Sequence, residues 1–331
     1  MKLLTDVALR VIRSGFSLVL AGACCAACSP NRTAPTTVTH LTISTGNANG
    51  VFNLVGNALA TAYNRHVSGV AVQVKSGRSV DDSLDDIQSG SADLAFVDSE
   101  NAYVGYRRGA SASDGRRVGV RAVAVLFPTA VHLLVRRDRH VTSVKQFKGL
   151  RMMVGDRGGY ADQAMQLILQ SYALDYTDVQ PEFTYKLTSL ASEHELIDGV
   201  VFWTPFRNRA ILDALDRADF QLVPINREHI SAIRSTSERN HFLKSTVIPR
   251  QTYPGQDEDV LTVGEEILLL CRENLPDGLV YDLTKVLFDS VPDLIRAHPA
   301  AAGINAERGP TTSVPLHPGA ARYYRERELP R

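Results

Sequence analysis

From residue 40 onward, short apolar runs alternate with stretches whose apolar residues recur every three or four positions. The short runs are rich in Val, Leu and Ile and bounded by Gly, Asp or Ser, which predicts strands. They are Leu41–Thr45, Val70–Lys75, Leu94–Val97, Val123–Phe127, His132–Arg136, Arg151–Gly155, Gly199–Trp203 and Phe220–Ile225. Between them, Asn53–Arg65 sets Leu54, Ala58, Leu59 and Ala62 on one helical face. Ala161–Ala173 does the same with Ala161, Ala164, Met165, Ile168, Leu169 and Tyr172, and Leu279–Ala297 with Leu279, Leu283, Val286, Leu287 and Leu294. Strand–helix alternation predicts an α/β protein, mostly parallel sheets with helices on both faces.

Two places read as crossings between lobes, Phe127-Pro128 and Pro224 to Arg227. They predict one lobe from residues 40–127 plus 226–331 and a second from 128–225, joined by two hinge crossings. The length of 331 residues suits two such units without help from disulfides or metals.

Composition adds little and excludes something. Lys plus Arg and Asp plus Glu both total 36, so no basic excess favours nucleic acid. The first residues change the picture more. Lys2, Arg10 and Arg13 precede the apolar run Gly15 to Ala23, too short to span a bilayer. Residues 1–28 therefore read as a secretory or lipoprotein segment, and 29–39 as a polar tether. Cys24, after Ala21-Gly22-Ala23, is the expected lipidation site, with Cys28 as the alternative and an ordinary cleaved signal as the other reading. Beyond that segment Cys271 stands alone in Ile267-Leu268-Leu269-Leu270-Cys271, which predicts a buried strand thiol rather than a nucleophile.

Three turns carry candidate binding chemistry. Thr45-Gly46-Asn47-Ala48-Asn49-Gly50-Val51-Phe52 joins a strand to a helix, so backbone N–H groups and a positive helix end face whatever lies beyond. A plain tight turn explains the same residues, and both Gly-Lys-Ser/Thr and Gly-x-Gly-x-x-Gly are absent. Gly77-Arg78-Ser79 opens the next helix. Ser79 and Asp82 suit a capping box, and Arg78 is either a surface residue or a cation for an anionic solute. Gly158-Gly159-Tyr160 repeats the pattern and would set a second helix start opposite the first across a cleft.

In order along the chain, these turns and several later segments resemble the TAXI family of TRAP-transporter solute-binding proteins. The resemblance is carried by TGNANGVF (Thr45 to Phe52), GSADLAFVDSENAY (Gly90 to Tyr103), IPRQTYPGQDEDVLTV (Ile248 to Val263), LPDGLVYDLTKVLFD (Leu275 to Asp289) and PLHPGAARYYRE (Pro315 to Glu326). It implies a two-lobed periplasmic-binding-protein type II fold and a small organic anion or amino acid such as glutamate in the cleft. It also implies hand-over to an ion-gradient-driven TRAP permease, and a place outside the cytoplasmic membrane. Turns and resemblance together give the expected ligand-binding set: Thr45, Gly46, Gly50, Phe52, Gly77, Arg78, Ser79, Asp98, Ser99, Phe127, Gly158, Gly159, Tyr160, Trp203 and Pro205. Phe52, Arg78, Gly159-Tyr160-Ala161 and Val201 to Phe206 depart from the family pattern, mostly by losing hydroxyls and gaining aromatic bulk. A solute less polar or smaller than glutamate is therefore expected.

No catalytic residue, cofactor or metal is expected. Gly-x-Ser-x-Gly and His-Glu-x-x-His are absent, and Glu193-His194-Glu195 reads as solvated charge. His132 reads as a core or hinge histidine and His317 as the anchor of a C-terminal turn. The remaining alternatives are a solute-sensing lipoprotein with the same fold and an interaction protein whose pocket the aromatic residues have closed.

Overall fold

The computed structural model describes residues 38–48, 50–77, 80–110, 118–184, 197–217 and 220–328. Its first half begins β1 (Thr39–Asn47), α1 (Val51–His66), β2 (Val70–Gly77), α2 (Val80–Gln88), β3 (Leu94–Asp98) and α3 (Ser99–Ala110). The long strand β4 (Val120–Arg136) follows. Then come β5 (Arg151–Met153), α4 (Tyr160–Ser171), β6 (Gln180–Glu182), β7 (Gly199–Pro205), α5 (Arg209–Arg217), β8 (Phe220–Leu222), α6 (Arg227–Ser235) and β9 (Lys244–Ile248). A second long strand, β10 (Val260–Arg272), leads to α7 (Asp277–Asp289), α8 (Val291–Ala297) and α9 (Pro318–Glu328).

The strands form one sheet in the order β2-β1-β3-β10-β4-β7-β5-β6, with β8 added to β4 and β9 to β10. Pairing is parallel in the two wings, β1 with β2 and β3, and β5 with β6 and β7. It is antiparallel in the centre, where β10 meets β3, β4 and β9 and β4 meets β7 and β8. Strands β1, β2, β3, β5 and β7 each lead into a helix, as the alternation requires.

The two expected strands Val123–Phe127 and His132–Arg136 are one strand, continuous through Pro128. Proline is tolerated there because the β10–β4 ladder is irregular nearby, with register shifts between Ile267 and Leu268 and between Leu269 and Leu270. The helical stripe Leu279–Ala297 is divided at Ser290, with Pro292 opening the next helix.

Two pairs of apolar cores flank the central strands. Val123, Leu126 and Phe127 of β4 and Ile267, Leu269 and Cys271 of β10 pack with α1, α7 and α9. Val131, Leu133 and Val135 of β4 and Val263 of β10 pack instead with α4 and α6. Both long strands therefore pass from one half to the other. The expected return at Pro224–Arg227 is corrected: Ile230, Ile233 and Leu243 pack in the second half's core, and the chain returns along β10 near Gly264-Glu265-Glu266. Cys271 is a buried strand thiol, its pKa pushed up by burial. Among the described residues no helix is long and apolar enough to cross a membrane.

Candidate functional site

The turn from β1 into α1 needs the left-handed backbone of Gly46, at φ 71°. It ends at Gly50, which caps α1 with no side chain, and α1 has no acidic residue in its first turn. Its N–H groups and positive end are thus left to whatever lies beyond them. The turn is braced from behind. Asn53 Nδ2 donates to Thr45 Oγ1 at 3.1 Å and to Ser76 Oγ at 2.8 Å, while Asn57 Nδ2 donates to Asn53 Oδ1 at 2.9 Å.

The turn from β5 into α4 is built alike, with Gly158 at φ 77° and Gly159 as a cap without a side chain. Here, however, a carboxylate occupies the helix start. Asp162 accepts from Gly158 N at 2.7 Å, from the Tyr176 hydroxyl at 2.5 Å and from Gln166 Nε2 at 3.0 Å. Burial pushes the Asp162 carboxyl up, but these hydrogen bonds and Arg157 outweigh it and hold it below the ordinary carboxylate range.

Between the turns lies a cavity of about 340 Å³. Of the expected residues, Thr45, Gly50, Phe52, Gly159, Tyr160, Trp203 and Pro205 line it. Asn47, Val51, Asp156, Ala161, Thr204 and Asn208 line it as well and were not in the expected set. The first four sit inside the same glycine turns and were within reach of the motif reading. Thr204 lies in the Val201 to Phe206 stretch singled out in the sequence, whereas Asn208 has no signal of its own. Among the described residues no lysine or arginine lines the cavity.

The aromatic wall has its polar edges tied back. Trp203 Nε1 donates to Thr129 Oγ1 at 3.0 Å, and Thr129 Oγ1 donates to the Glu265 carbonyl at 3.3 Å. Indole has only that one donor, so Trp203 offers the cavity carbon. The Tyr160 ring meets it edge-on at 6.0 Å. Its hydroxyl donates to Asp98 Oδ2 at 3.3 Å and accepts from Asn101 Nδ2 at 3.0 Å. Phe52 packs on Phe127 at 5.9 Å and Phe96 at 6.4 Å.

Other expected residues lie outside the lining. Gly46 and Gly158 shape the turns, Asp98 and Phe127 stand behind Tyr160 and Phe52, and Ser99 Oγ donates to the Glu266 carbonyl at 3.0 Å. Gly77 backs onto the Asp82 side chain. Arg78, Ser79, Cys24, Cys28 and the Glu193-His194-Glu195 cluster lie outside the described residues.

Two segments that carried the family resemblance turn out to be braces. Tyr253 donates its hydroxyl to His132 Nε2 at 2.8 Å and accepts from Arg207 N at 3.1 Å, pinning the end of β7 beside the cavity. His132 Nδ1 faces the Ala130 carbonyl at 3.0 Å, and full burial lowers its pKa to about 3, so it stays neutral. His317 Nδ1 accepts from Gly319 N at 3.2 Å and fixes the turn into α9, whose Tyr324 hydroxyl donates to the Val123 carbonyl at 3.0 Å.

Beneath the wall, at the return crossing, Glu265 is only 5% exposed. Burial, and then the charges of Asp98, Glu100 and Glu266, push its carboxyl well above the usual range. Neighbouring Glu266 is compensated by Arg308 at 2.8 Å and Lys244 at 3.7 Å.

A sequence profile described as the NMT1-like family matches residues 43–327. Among solved structures, the chain is similar to the periplasmic aliphatic sulphonate binding protein SsuA of Escherichia coli, at 13% identity over 88% of this chain and 89% of that one, TM-score 0.45. It is also similar to PhnD1 of Prochlorococcus marinus in complex with methylphosphonate, at 10% identity over 88% and 96%, TM-score 0.48.

Proposed function

The chain belongs to the NMT1-like family, and from that premise we propose that it is an extracytoplasmic solute-binding protein. It takes a small organic anion into the cleft between its halves and delivers it to a membrane transporter without altering it. The observation that carries this reading is the cavity of about 340 Å³ onto which two helix starts open, both capped by glycine. That volume suits a small molecule, and the N–H groups suit its negative end.

The lining supports a narrower ligand class. The anionic group sits at the start of α1, which carries no acid of its own, rather than at α4, where Asp162 already occupies the positive end. The body of the solute lies against the faces of Phe52, Tyr160 and Trp203, the last two with their polar groups bonded to the protein. A monocarboxylate with an apolar body meets these terms better than glutamate, whose second carboxylate would find no described cationic side chain in the lining.

The TAXI-like motifs support a TRAP-type permease as the receiving partner, and Cys24, or else Cys28, as the lipid-bearing residue that keeps the protein beside it. Native mass spectrometry of the purified protein, followed by identification of the released molecule, tests the reading. The expected result is one small monocarboxylate per chain. A bound dianion, or a protein that turns the molecule over, contradicts it.

A further inference from the structure

Tyr160 does more than line the cavity. It stands at the first position of α4, among residues that pack in the second half, yet its hydroxyl reaches the end of β3 and the start of α3 in the first. Its two partners there are already joined. Asp98 Oδ1 accepts from Asn101 N at 2.8 Å and Asp98 Oδ2 from Asn101 Nδ2 at 2.9 Å, so the first turn of α3 presents one preformed acceptor–donor pair. We propose that this pair is a receiver and the Tyr160 hydroxyl a latch, which together hold the two halves closed over the cavity. The proposal rests on the reading of the molecule as a solute trap.

The geometry suits a reversible contact. At 3.3 Å the bond to Asp98 is longer than a relaxed O–H···O bond of about 2.7 Å. It is also only partly buried, so water can replace it when the halves part. A second contact between the same regions, Tyr103 of α3 against Phe242 at 5.1 Å, joins carbon surfaces and gives closure no direction. The hydroxyl does, because it has to meet an acceptor and a donor together. The latch also sets the tilt of the Tyr160 ring against Trp203, and so the width of the slot a solute enters. Closing the trap and shaping its wall are then one event.

The chain contains one tryptophan, Trp203, and it lies in this wall. Its emission reports on the cavity with no ligand added. Acrylamide quenching of the full chain is the experiment, on the wild type, Tyr160→Phe, Asn101→Ala and the double variant. Tyr160→Phe keeps the ring and loses only the hydroxyl. Asn101→Ala leaves the wall intact and removes the donor from the other half. Loss of a hydrogen bond to a charged group shifts an open–closed equilibrium by roughly tenfold. The Stern–Volmer constant is expected to rise at least about twofold in each single variant as the open form gains population. The double variant is expected to rise no further than Tyr160→Phe, because that change already removes the bond to Asn101 along with the bond to Asp98. Tyr281→Phe, which removes an exposed hydroxyl bonded to Glu326 at 2.6 Å, serves as the control and stays at the wild-type value.

Unchanged quenching in both single variants overturns the latch, and so do additive effects in the double variant. If Tyr160→Phe does not fold, Asn101→Ala decides alone. The trap reading fails separately. Trp203 emission that ignores every member of a carboxylate panel, in a protein whose variants do show raised quenching, removes the solute and leaves the latch.

Discussion

The two turns that open onto the cavity share a grammar and differ in one charge. Both put a left-handed glycine at or beyond the end of a strand and a bare glycine cap before a helix. The first is backed by neutral groups, Thr45, Asn53 and Ser76, and leaves its helix end open. The second closes on its own Asp162. Similar sequence patterns therefore do unlike work. One turn leaves its positive helix end without an acid, and the other uses it to rigidify the helix that carries Tyr160. The difference gives the cleft a direction, with an open positive helix end at α1 and a helix end already neutralised by Asp162 at α4.

Making the first turn like the second is the strongest way to break this asymmetry. Gly50→Asp adds a preferred helix cap in an accessible backbone conformation, at φ −85°, with Asn47 O 3.1 Å from the new Cβ having to yield slightly. Its carboxylate would occupy the proposed anion site. Affinity for a carboxylate ligand is expected to fall roughly 100-fold, about 2–3 kcal/mol, while thermal stability holds. Next in size is the wall. Trp203→Ala removes a partly buried aromatic anchor, and calorimetry should show a loss of roughly 30-fold for an apolar carboxylate.

Freeing the second turn is a smaller change of opposite sense. Asp162→Asn leaves Gly158 N and the Tyr176 hydroxyl with a poorer acceptor, so the fold loses about 1–2 kcal/mol at neutral pH. Because the Asp162 carboxyl is held below its ordinary range, this contribution is present above about pH 4 and disappears as pH falls through the native value. Denaturation of wild type and variant should converge in acid. Carboxylate affinity should stay level or rise slightly.

The crossing that joins the halves gives the smallest effect. Glu265 is raised, so the native state holds its proton where the unfolded chain has lost it, and stability falls as pH climbs above about 4. Glu265→Gln removes that dependence. Its melting temperature should match wild type near pH 4 and exceed it by about 2–4 °C at pH 8.

Much of this architecture was legible beforehand. All eight strand candidates fall on or overlap strands, because half-buried Val-, Leu- and Ile-rich runs leave few alternatives. The glycine turns were legible because helix starts beside strand ends have few solutions. The return crossing was not. Two adjacent carboxylates, Glu265 and Glu266, interrupt β10 in a pattern that contradicts a buried strand, and only the fold supplies Arg308 and Lys244 as compensation for Glu266 and the burial that raises Glu265. The short strands β6 and β9 were missed for a similar reason: proline or polar residues dominate them. Within the site, Tyr160 was identified as a wall residue, but its partners Asp98 and Asn101 lie about sixty residues away in sequence and in the other half. No local pattern encodes that meeting. The Thr252-Tyr253-Pro254-Gly255-Gln256 motif shows the reverse, a conspicuous segment whose work is to brace β7 through His132 and Arg207.

The central claim is a trap for a monoanion with an apolar body, and calorimetric titration of the wild-type protein with phenylacetate and with L-glutamate tests it most directly. The account predicts saturable one-to-one binding of phenylacetate at least about tenfold tighter than glutamate, a difference of about 1.4 kcal/mol or more. Tight glutamate binding with none for phenylacetate would contradict it.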